Sequence, residues 1–436
     1  MNNSKLLSDI LKAESHNSCL MASYTKCRKS LRTHLKSNNL VEPYRGLYAI
    51  NNYWQRLSYK DKVLHIAIPL TQKIKIKEWK FTGETAAALK GFEVIKLYSN
   101  QPKAINIHVS CAYADKNLTD TSEKSTKKIA RRQLKRIHLP DIIEDENGIR
   151  LEECYKRCKK PNSPNTCDSN VKTCKHTNEK KTSTFGHIKT MEEDAMSHVA
   201  STYNTLFVEA WTNPFRIALA TFDSASQKGE NLKKIYNVCS EFYRFARYQY
   251  NASQLQDDPY LRKIDNPYFS NIDYTDALSR LKLLCNFASA KSENAGESLA
   301  RATIIELGFI VPQIQYEFPN NKNPNYPLRA DFAWNVNGNL IVGEFDGTDK
   351  YLIECGKSSV CNISQESSKN TIITDLHEEN MLLRYDRDAV RKERDRERYL
   401  YDCGVSKIVR FDFAEVIDPQ KLEQKLTLAG IPKAYK

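Results

Sequence analysis

The stretch LRADFAWNVNGNLIVGEFDG, residues 328–347, decides the fold of the C-terminal part of this chain. Strand-forming residues flank Asn337-Gly338, a strong short-range signal for a two-residue hairpin turn. The stretch therefore predicts a β-hairpin with one arm over 328–334 and the other over 340–347. Asp331 lies on the first arm. Glu344 and Asp346 are two residues apart on the second, so an extended strand points both carboxylates to one face.

Acids inside an apolar hairpin have a specific physical consequence. Converging carboxylates repel each other, and burial drives them to protonate unless a cation holds them. Oxygen ligands suit Mg²⁺ or Mn²⁺, which keep several waters and bridge to a phosphate. Such a metal polarises a phosphodiester, and Lys350 lies just beyond the hairpin, where it could steady the developing charge. The alternative is a surface hairpin with solvated acids, although a carboxylate within an apolar strand is unusual at a surface.

The residues around the hairpin continue an α/β pattern. Residues 293–307 predict a helix that ends at Gly308, with Glu297 and Arg301 four apart on one face. The other predicted elements are a strand over 311–318, a charged helix over 388–402 and a strand over 408–411.

In these features residues 293–413 resemble the very-short-patch-repair-like branch of the PD-(D/E)xK endonuclease superfamily. The matching segments are Glu297-Ser298-Leu299-Ala300-Arg301, Pro312-x-x-Gln315, Asp331-Phe332-Ala333-Trp334, Glu344-Phe345-Asp346-Gly347, Lys350-Tyr351, Glu393 with Arg396 and Glu397, Leu400-x-x-x-Gly404, and Arg410-Phe411. The resemblance implies metal-dependent cleavage of nucleic acid, with Asp331 and Glu344 as ligands of Mg²⁺ or Mn²⁺ and Glu297 as a helper acid. The further catalytic candidates are Asp346 and Lys350, and the supporting candidates are Arg301, Glu393 and Arg396.

The chain departs from the superfamily pattern at the catalytic lysine. In the superfamily this lysine lies two residues after the metal-binding Glu, where this chain has Asp346. The branch often has a His after the Asp-Gly turn, and here Lys350 takes a nearby position. A polar insertion over about 354–380 also separates the hairpin from the last helix. Two hypotheses follow: an active endonuclease, or a nuclease fold that only binds DNA or a partner.

The N-terminal sequence has the outline of a winged helix-turn-helix. Residues 4–14 show helical spacing of apolar positions, and 19–36 predict one short helix and one longer helix. No acid occurs between Glu14 and Glu42, and a glycine turn with strand-forming flanks follows at 44–49. A basic helix followed by a wing suits the major groove and the phosphates of double-stranded DNA. The predicted DNA-binding residues are Lys26, Arg28, Lys29, Arg32, Lys36 and Arg45. The alternative is a solvated basic face of a helical subdomain.

The first part of the chain, about residues 15–112, also resembles the AbiEi-type abortive-infection antitoxins. The matching segments are Tyr44-Arg45-Gly46-Leu47-Tyr48 and Phe81-Thr82-Gly83-Glu84-Thr85-Ala86-Ala87-Ala88-Leu89-Lys90-Gly91. The resemblance implies a transcriptional autoregulator that neutralises a nucleotidyltransferase toxin, which would then be a partner. Beyond the wing, strand-like residues at 63–68 and 105–110 around a helix at 83–91 predict a small α/β unit.

The middle of the chain is more polar. Residues 116–186 are interpreted as a basic insertion, of which 140–182 are expected to be mobile. The run 124–136 has seven Lys and Arg residues and no acid, and phosphate contact and a solvated face explain it equally well. Zinc is not expected, because the spacing of the potential ligands fits a structural site poorly. Those residues are Cys154, Cys158, Cys167, Cys174 and His176. Residues 190–256 predict helices.

Composition sets the outer limits. The chain has 436 residues and a net charge of +13, which favours a polyanionic partner. No segment is apolar for long enough to span a bilayer, and twelve cysteines without a secretion signal favour reduced thiols in the cytoplasm. We therefore expect a multidomain protein of α/β and α+β class with no membrane partner. Its predicted parts are a winged helix-turn-helix (1–55), a small α/β antitoxin-like domain (56–115), a basic, partly disordered insertion (116–186), a helical region (187–290) and an endonuclease-like α/β domain (291–436).

Two functions are consistent with these patterns. The leading hypothesis is a cytoplasmic DNA-binding protein with a metal-dependent endonuclease domain, for which phage defence and DNA repair are the natural settings. The alternative is an antitoxin and autoregulator whose nuclease fold is catalytically inactive. Retention of Glu297, Asp331 and Glu344 favours the first, and the displaced lysine favours the second.

Overall fold

The computed structural model describes residues 2–73, 79–97, 105–111, 133–152, 195–243, 277–320, 323–346, 352–354, 371–372, 383–385 and 387–434. They belong to two compact units. The N-terminal unit comprises Met1–Lys263 and Tyr274–Ala288, and the C-terminal unit comprises Ile264–Asp273 and Ser289–Lys436. Both combine helices with small sheets, so the protein is of mixed α+β class. Among the helices in the described ranges, none has the length and apolar character needed to cross a membrane.

The N-terminal unit begins with helices around a three-stranded sheet of order β1-β3-β2. Its elements are α1 (Asn2–Glu14), β1 (Leu20–Met21), α2 (Arg28–Lys36), β2 (Leu40–Tyr44), β3 (Leu47–Ile50) and α3 (Asn51–Arg56). Gly46 has a φ of 75° and allows the tight turn between β2 and β3. The core contains Leu6, Ile10, Leu20, Leu31 and Leu40. The helix predicted for residues 4–14 and the longer helix within 19–36 are thus confirmed.

The short helix predicted at the start of residues 19–36 is wrong. Leu20 and Met21 form β1, which pairs with Tyr48 and Leu47 of β3. Both β1 side chains are buried, so strand pairing places two apolar residues in the core. A turn follows in which the Tyr24 N–H donates to the Met21 carbonyl.

The strand predicted for residues 63–68 is also wrong, because these residues lie within α4 (Tyr59–Leu70). Ser58 caps this helix by accepting a hydrogen bond from the Asp61 N–H. Val63, Ile66 and Ala67 are fully buried at helical spacing. Burial on the helix therefore outweighs the strand preference of β-branched residues.

A second sheet, of order β4-β5-β6, follows in the N-terminal unit. Its strands are β4 (Lys80–Phe81), β5 (Ile107–Cys111) and β6 (Leu134–His138). Helix α5 (Gly83–Leu89) follows β4, and a separate hairpin of β7 (Ile142–Asp145) and β8 (Gly148–Leu151) follows β6. The predicted helix at 83–91 and strand at 105–110 are confirmed. Helices α6 (Thr202–Thr212), α7 (Phe215–Gln227), α8 (Leu232–Tyr243) and α9 (Ala277–Phe287) complete the unit, which confirms helices within 190–256.

The mobile insertion predicted for 140–182 is wrong for its first residues, where β7 and β8 form a hairpin. Leu139 and Ile142 are buried there. The carboxylate of Asp141 accepts hydrogen bonds from the Lys80 ammonium and the Ser201 N–H, which fixes the start of the hairpin. Residues 153–182, with the cysteines considered for zinc, and residues 124–132 of the basic run lie outside the described residues.

The C-terminal unit is built on a four-stranded sheet of order β15-β11-β10-β9, in which β11 and β15 are parallel and the other pairs antiparallel. Its helices and main strands are α10 (Ala295–Glu306), β9 (Gln313–Phe318), β10 (Leu328–Val336), β11 (Asn339–Asp346), α11 (Arg387–Asp402), β15 (Val405–Asp412), α12 (Phe413–Ile417) and α13 (Pro419–Ala429). A separate small sheet consists of β12 (Leu352–Glu354), β13 (Thr371–Ile372) and β14 (Leu383–Tyr385).

The predicted hairpin is confirmed. Val336 pairs with Asn339, and Asn337 and Gly338 adopt φ angles of 51° and 84°, as a type I′ turn requires. The helix predicted for 293–307 is confirmed as α10, whose N-cap Asn294 accepts a hydrogen bond from the Glu297 N–H. Its first turn approaches β11 so closely that a Cβ added at Gly296 would lie 2.5 Å from Phe345.

Candidate active site

Glu344 is the most deeply buried acid of the hairpin, with 3% of its surface exposed. Burial raises the pKa of Glu344 to about 7, although the positive charge of Arg396 acts in the opposite direction. The Arg396 guanidinium on α11 lies 2.9 Å from Glu344 Oε1. Arg396 is therefore the cationic partner of this buried oxygen. A buried carboxylate needs a positive partner of this kind to stay ionised.

Asp331 lies at the point where the pairing of β10 with β11 ends. The last regular pair is Phe332 with Gly343, so Asp331 and Glu344 come next on the two arms. Here the Phe345 N–H donates to Asp331 Oδ2 at 2.8 Å, so a side-chain oxygen of β10 accepts this hydrogen bond in place of a backbone carbonyl. The negative charge of Asp331 also contributes to the raised pKa of Glu344. The hairpin therefore brings these two carboxylates together, as the sequence predicted.

Glu297 reaches the same region from the first turn of α10. Its carboxylate accepts hydrogen bonds from the Glu293 N–H, the Asn294 side chain and the Gln315 side chain, at 2.9, 2.6 and 3.0 Å. Burial, and to a smaller extent the charge of Asp331, raises the pKa of Glu297 to about 7. Three donors fix its orientation, which suits an acid that acts from a set position.

Gln315 has the left-handed φ of 51° within β9, a conformation that costs a non-glycine residue energy. The neighbouring pairs, Ala330 with Tyr316 and Phe332 with Ile314, place Gln315 opposite Asp331. Its side-chain amide then donates to Glu297. The sequence pattern contained Gln315 within Pro312-x-x-Gln315, but its contact with Glu297 depends on a backbone conformation that spacing does not reveal.

Asp346 has a different environment. Arg410 on β15 donates to both Asp346 oxygens, at 3.2 and 3.0 Å. The same guanidinium also bonds to Glu393 and Glu397 of α11. Arg410 thus joins the second hairpin arm to the charged helix, and it holds Asp346 in place. The sequence signal for Arg410 was its position after an apolar run in the last strand. We did not predict that it would bind Asp346.

The other predicted site residues are distributed as follows. Glu393 and Arg396 face the acidic site from α11, and Arg396 also donates to the Arg329 carbonyl. Arg301 is buried in α10, one turn beyond Glu297. Lys350 lies outside the described residues, so its proposed role stays a prediction.

The donor set fits a hard divalent cation. Magnesium sites commonly use one or two protein carboxylates and fill the remaining positions with water and phosphate oxygens. Asp331 and Glu344 would supply those carboxylates, and Arg396 lies beside Glu344 Oε1. Within the described ranges, no three acidic, His or Cys side chains are grouped closely enough to hold a metal without such outside ligands.

The N-terminal unit presents the predicted DNA-binding residues on its surface. All six are exposed: Lys26, Arg28, Lys29, Arg32, Lys36 and Arg45. Arg28, Arg32 and Lys36 are spaced by four along α2, so they lie along one face, and Leu31 of the same helix is buried in the core. Arg45 stands at the turn between β2 and β3. The basic helix and the turn between β2 and β3 thus belong to one small module.

Comparison with protein families, with curated proteins and with solved structures finds no match to this chain.

Proposed function

We propose that the protein binds double-stranded DNA and hydrolyses phosphodiester bonds at the site of Glu297, Asp331 and Glu344, using Mg²⁺ or Mn²⁺. The observation that carries the proposal is the convergence of Asp331 and the buried Glu344 at the end of the hairpin. The mixed α+β architecture of the C-terminal unit and the order of its motifs support an endonuclease-like domain.

Each residue of the site has a role that follows from its contacts. Asp331 and Glu344 would hold the metal, which when bound polarises a phosphodiester and activates water. Glu297, which is fixed by three donors, would orient an attacking water or accept its proton. Arg396 balances the charge of Glu344, and Arg410 fixes the strand through Asp346. Lys350 is the proposed substitute for the superfamily lysine.

The N-terminal module would supply affinity for DNA in the cytoplasm. Its winged helix-turn-helix would place α2 in the major groove and Arg45 on the backbone. Phage defence and DNA repair are the settings we propose for this combination of binding and cleavage.

The test is nicking of supercoiled plasmid with Mg²⁺ or Mn²⁺. We expect Asp331→Ala and Glu344→Ala to abolish cleavage and to leave DNA affinity nearly unchanged, because affinity comes mainly from Lys and Arg. Glu317→Ala is the matched control, since Glu317 lies on β9 with 57% of its side chain exposed and pairs with Arg329. Cleavage by both site variants at the wild-type rate would show that the site is elsewhere.

The second candidate is an antitoxin and transcriptional autoregulator whose nuclease fold only binds DNA or a nucleotidyltransferase toxin. A specific observation favours it: Asp346 stands in the position of the superfamily lysine and is engaged by Arg410. Absence of cleavage of plasmid and linear DNA by the wild type, with DNA binding retained, would establish this candidate over the enzyme.

A further inference from the structure

Helix α11 has two faces of different chemistry. Its inner face contacts the acidic site. Glu393 and Glu397 form ion pairs with Arg410, and Arg396 forms an ion pair with Glu344. Its outer face carries three exposed arginines spaced by three and four residues: Arg391, Arg394 and Arg398. These three lie within about 60° of one another around the helix axis, and we name them the arginine stripe.

The arginine stripe has no ion-pair partner among the described residues. No hydrogen bond or ion pair joins its three guanidinium groups to any side chain in the part of the chain that the structure describes, and the exposed Asp395 between them forms no ion pair with them. The inner-face arginine, by contrast, lies against two carboxylates. Like charges at this spacing cost about 0.2–0.5 kcal/mol per pair in an isolated helix, and the exposed Asp395 and Asp402, four residues after Arg391 and Arg398, offset this only in part. An external anion would remove this repulsion.

We propose that the arginine stripe binds the phosphate backbone of double-stranded DNA on the outer face of α11, as a second DNA contact independent of α2. This inference rests on the proposed function for its substrate, and it deepens that function by naming what brings DNA to the acids. Glu297, Asp331 and Glu344 repel a polyanion. A row of cations on α11, the helix that contacts this site through Arg396, offsets part of that repulsion.

The dimensions agree with this assignment. Arg391 and Arg398 are seven residues apart, which is about 10 Å along the helix axis. One DNA strand places a phosphate about every 3.4 Å of duplex axis, so this length matches about three phosphates. Arginine is suited to such contacts because its guanidinium donates to two phosphate oxygens at once.

The experiment measures duplex binding by the full chain without divalent metal, across a salt series. The test variant carries Arg391→Ala, Arg394→Ala and Arg398→Ala. Both it and its parent carry Lys29→Ala and Arg32→Ala, so that less of the binding comes from α2. We expect the slope of log K against log salt to become shallower by about 2.7, at about 0.9 for each phosphate that the variant no longer neutralises.

The matched control removes three positive charges elsewhere on the same unit, with Lys407→Ala, Lys421→Ala and Lys433→Ala. These side chains are exposed but engaged by Leu428, Asp418 and Glu423. We expect the control to keep the parental slope. An unchanged slope in the stripe variant, or an equal reduction in the control, would overturn the inference.

The outcome is separable from the fate of the proposed function. A shallower slope in the stripe variant, together with no cleavage by the wild type, would support the DNA contact and reject the nuclease. Plasmid cleavage by the wild type, together with an unchanged slope in the stripe variant, would support the nuclease and reject the DNA contact.

Discussion

Replacing Glu344 by Gln tests the electrostatics of the acidic site without any substrate. Burial raises the pKa of Glu344 from 4.5 to about 7, so the folded chain retains this proton at pH values where the unfolded chain has lost it. The free energy of unfolding therefore falls as the pH rises from 4.5 to 7 and is level above that range. At about 1.4 kcal/mol per pKa unit the full loss is about 3 kcal/mol, of which about 2.5 kcal/mol falls between pH 5 and pH 8.

Urea unfolding followed by Trp334 fluorescence measures this loss in the C-terminal unit. Trp334 is buried and donates to the Ile310 carbonyl, and the other three tryptophans would be replaced by Phe to isolate its signal. In EDTA, we expect the wild-type background to lose about 2.5 kcal/mol more than Glu344→Gln between pH 5 and pH 8. The constant cost of the amide cancels in this comparison. If the difference between the two proteins does not change with pH, the burial argument for Glu344 is refuted.

Three further results are expected. Gly296→Ala should lower the free energy of unfolding by about 1–2 kcal/mol in urea unfolding, because the clash with Phe345 exceeds the gain in helix propensity; an unchanged value would mean that the ring moves at no cost. Burial raises the pKa of Glu209 to about 8, so the wild type should lose stability as the pH rises from 4.5 to 8, whereas Glu209→Gln should not. The difference in the free energy of unfolding between the two should grow by about 1.4 kcal/mol per pH unit, and a difference that does not change with pH would contradict this expectation. Lys29→Ala with Arg32→Ala should reduce the salt slope of duplex binding by about 1.8, and an unaltered slope in filter binding would remove α2 from the interface.

Local signals predicted the parts of the fold that local chemistry determines. The Asn337-Gly338 turn specifies its own backbone conformation, and it set the register that places Asp331 beside Glu344. The strand predicted at 63–68 failed because the tertiary environment, which buries the residues of a helix, was not visible in a run of β-branched side chains.

The remaining features of the site depend on partners that are distant in sequence. Arg410 follows Asp346 by 64 positions, and Arg396 reaches Glu344 from a different helix. Residue spacing identified these arginines as members of a pattern and could not pair them with specific carboxylates. Gln315 likewise combines a left-handed backbone within a strand with a side-chain hydrogen bond to Glu297. No local preference of glutamine predicts this backbone conformation.

The parallel pairing of β11 with β15 also orders events during synthesis. A ribosome that adds about 5–20 residues per second needs several seconds to travel from Asp346 to Arg410, and β11 has no partner on that side until β15 emerges. The hairpin of β10 and β11 can form earlier, since its two arms are contiguous. Domains generally fold in the order in which they are made, so the basic surface of α2 is complete while the acidic site still lacks Arg396 and Arg410. A nascent chain therefore acquires its cationic surface well before its carboxylates are held in their final arrangement.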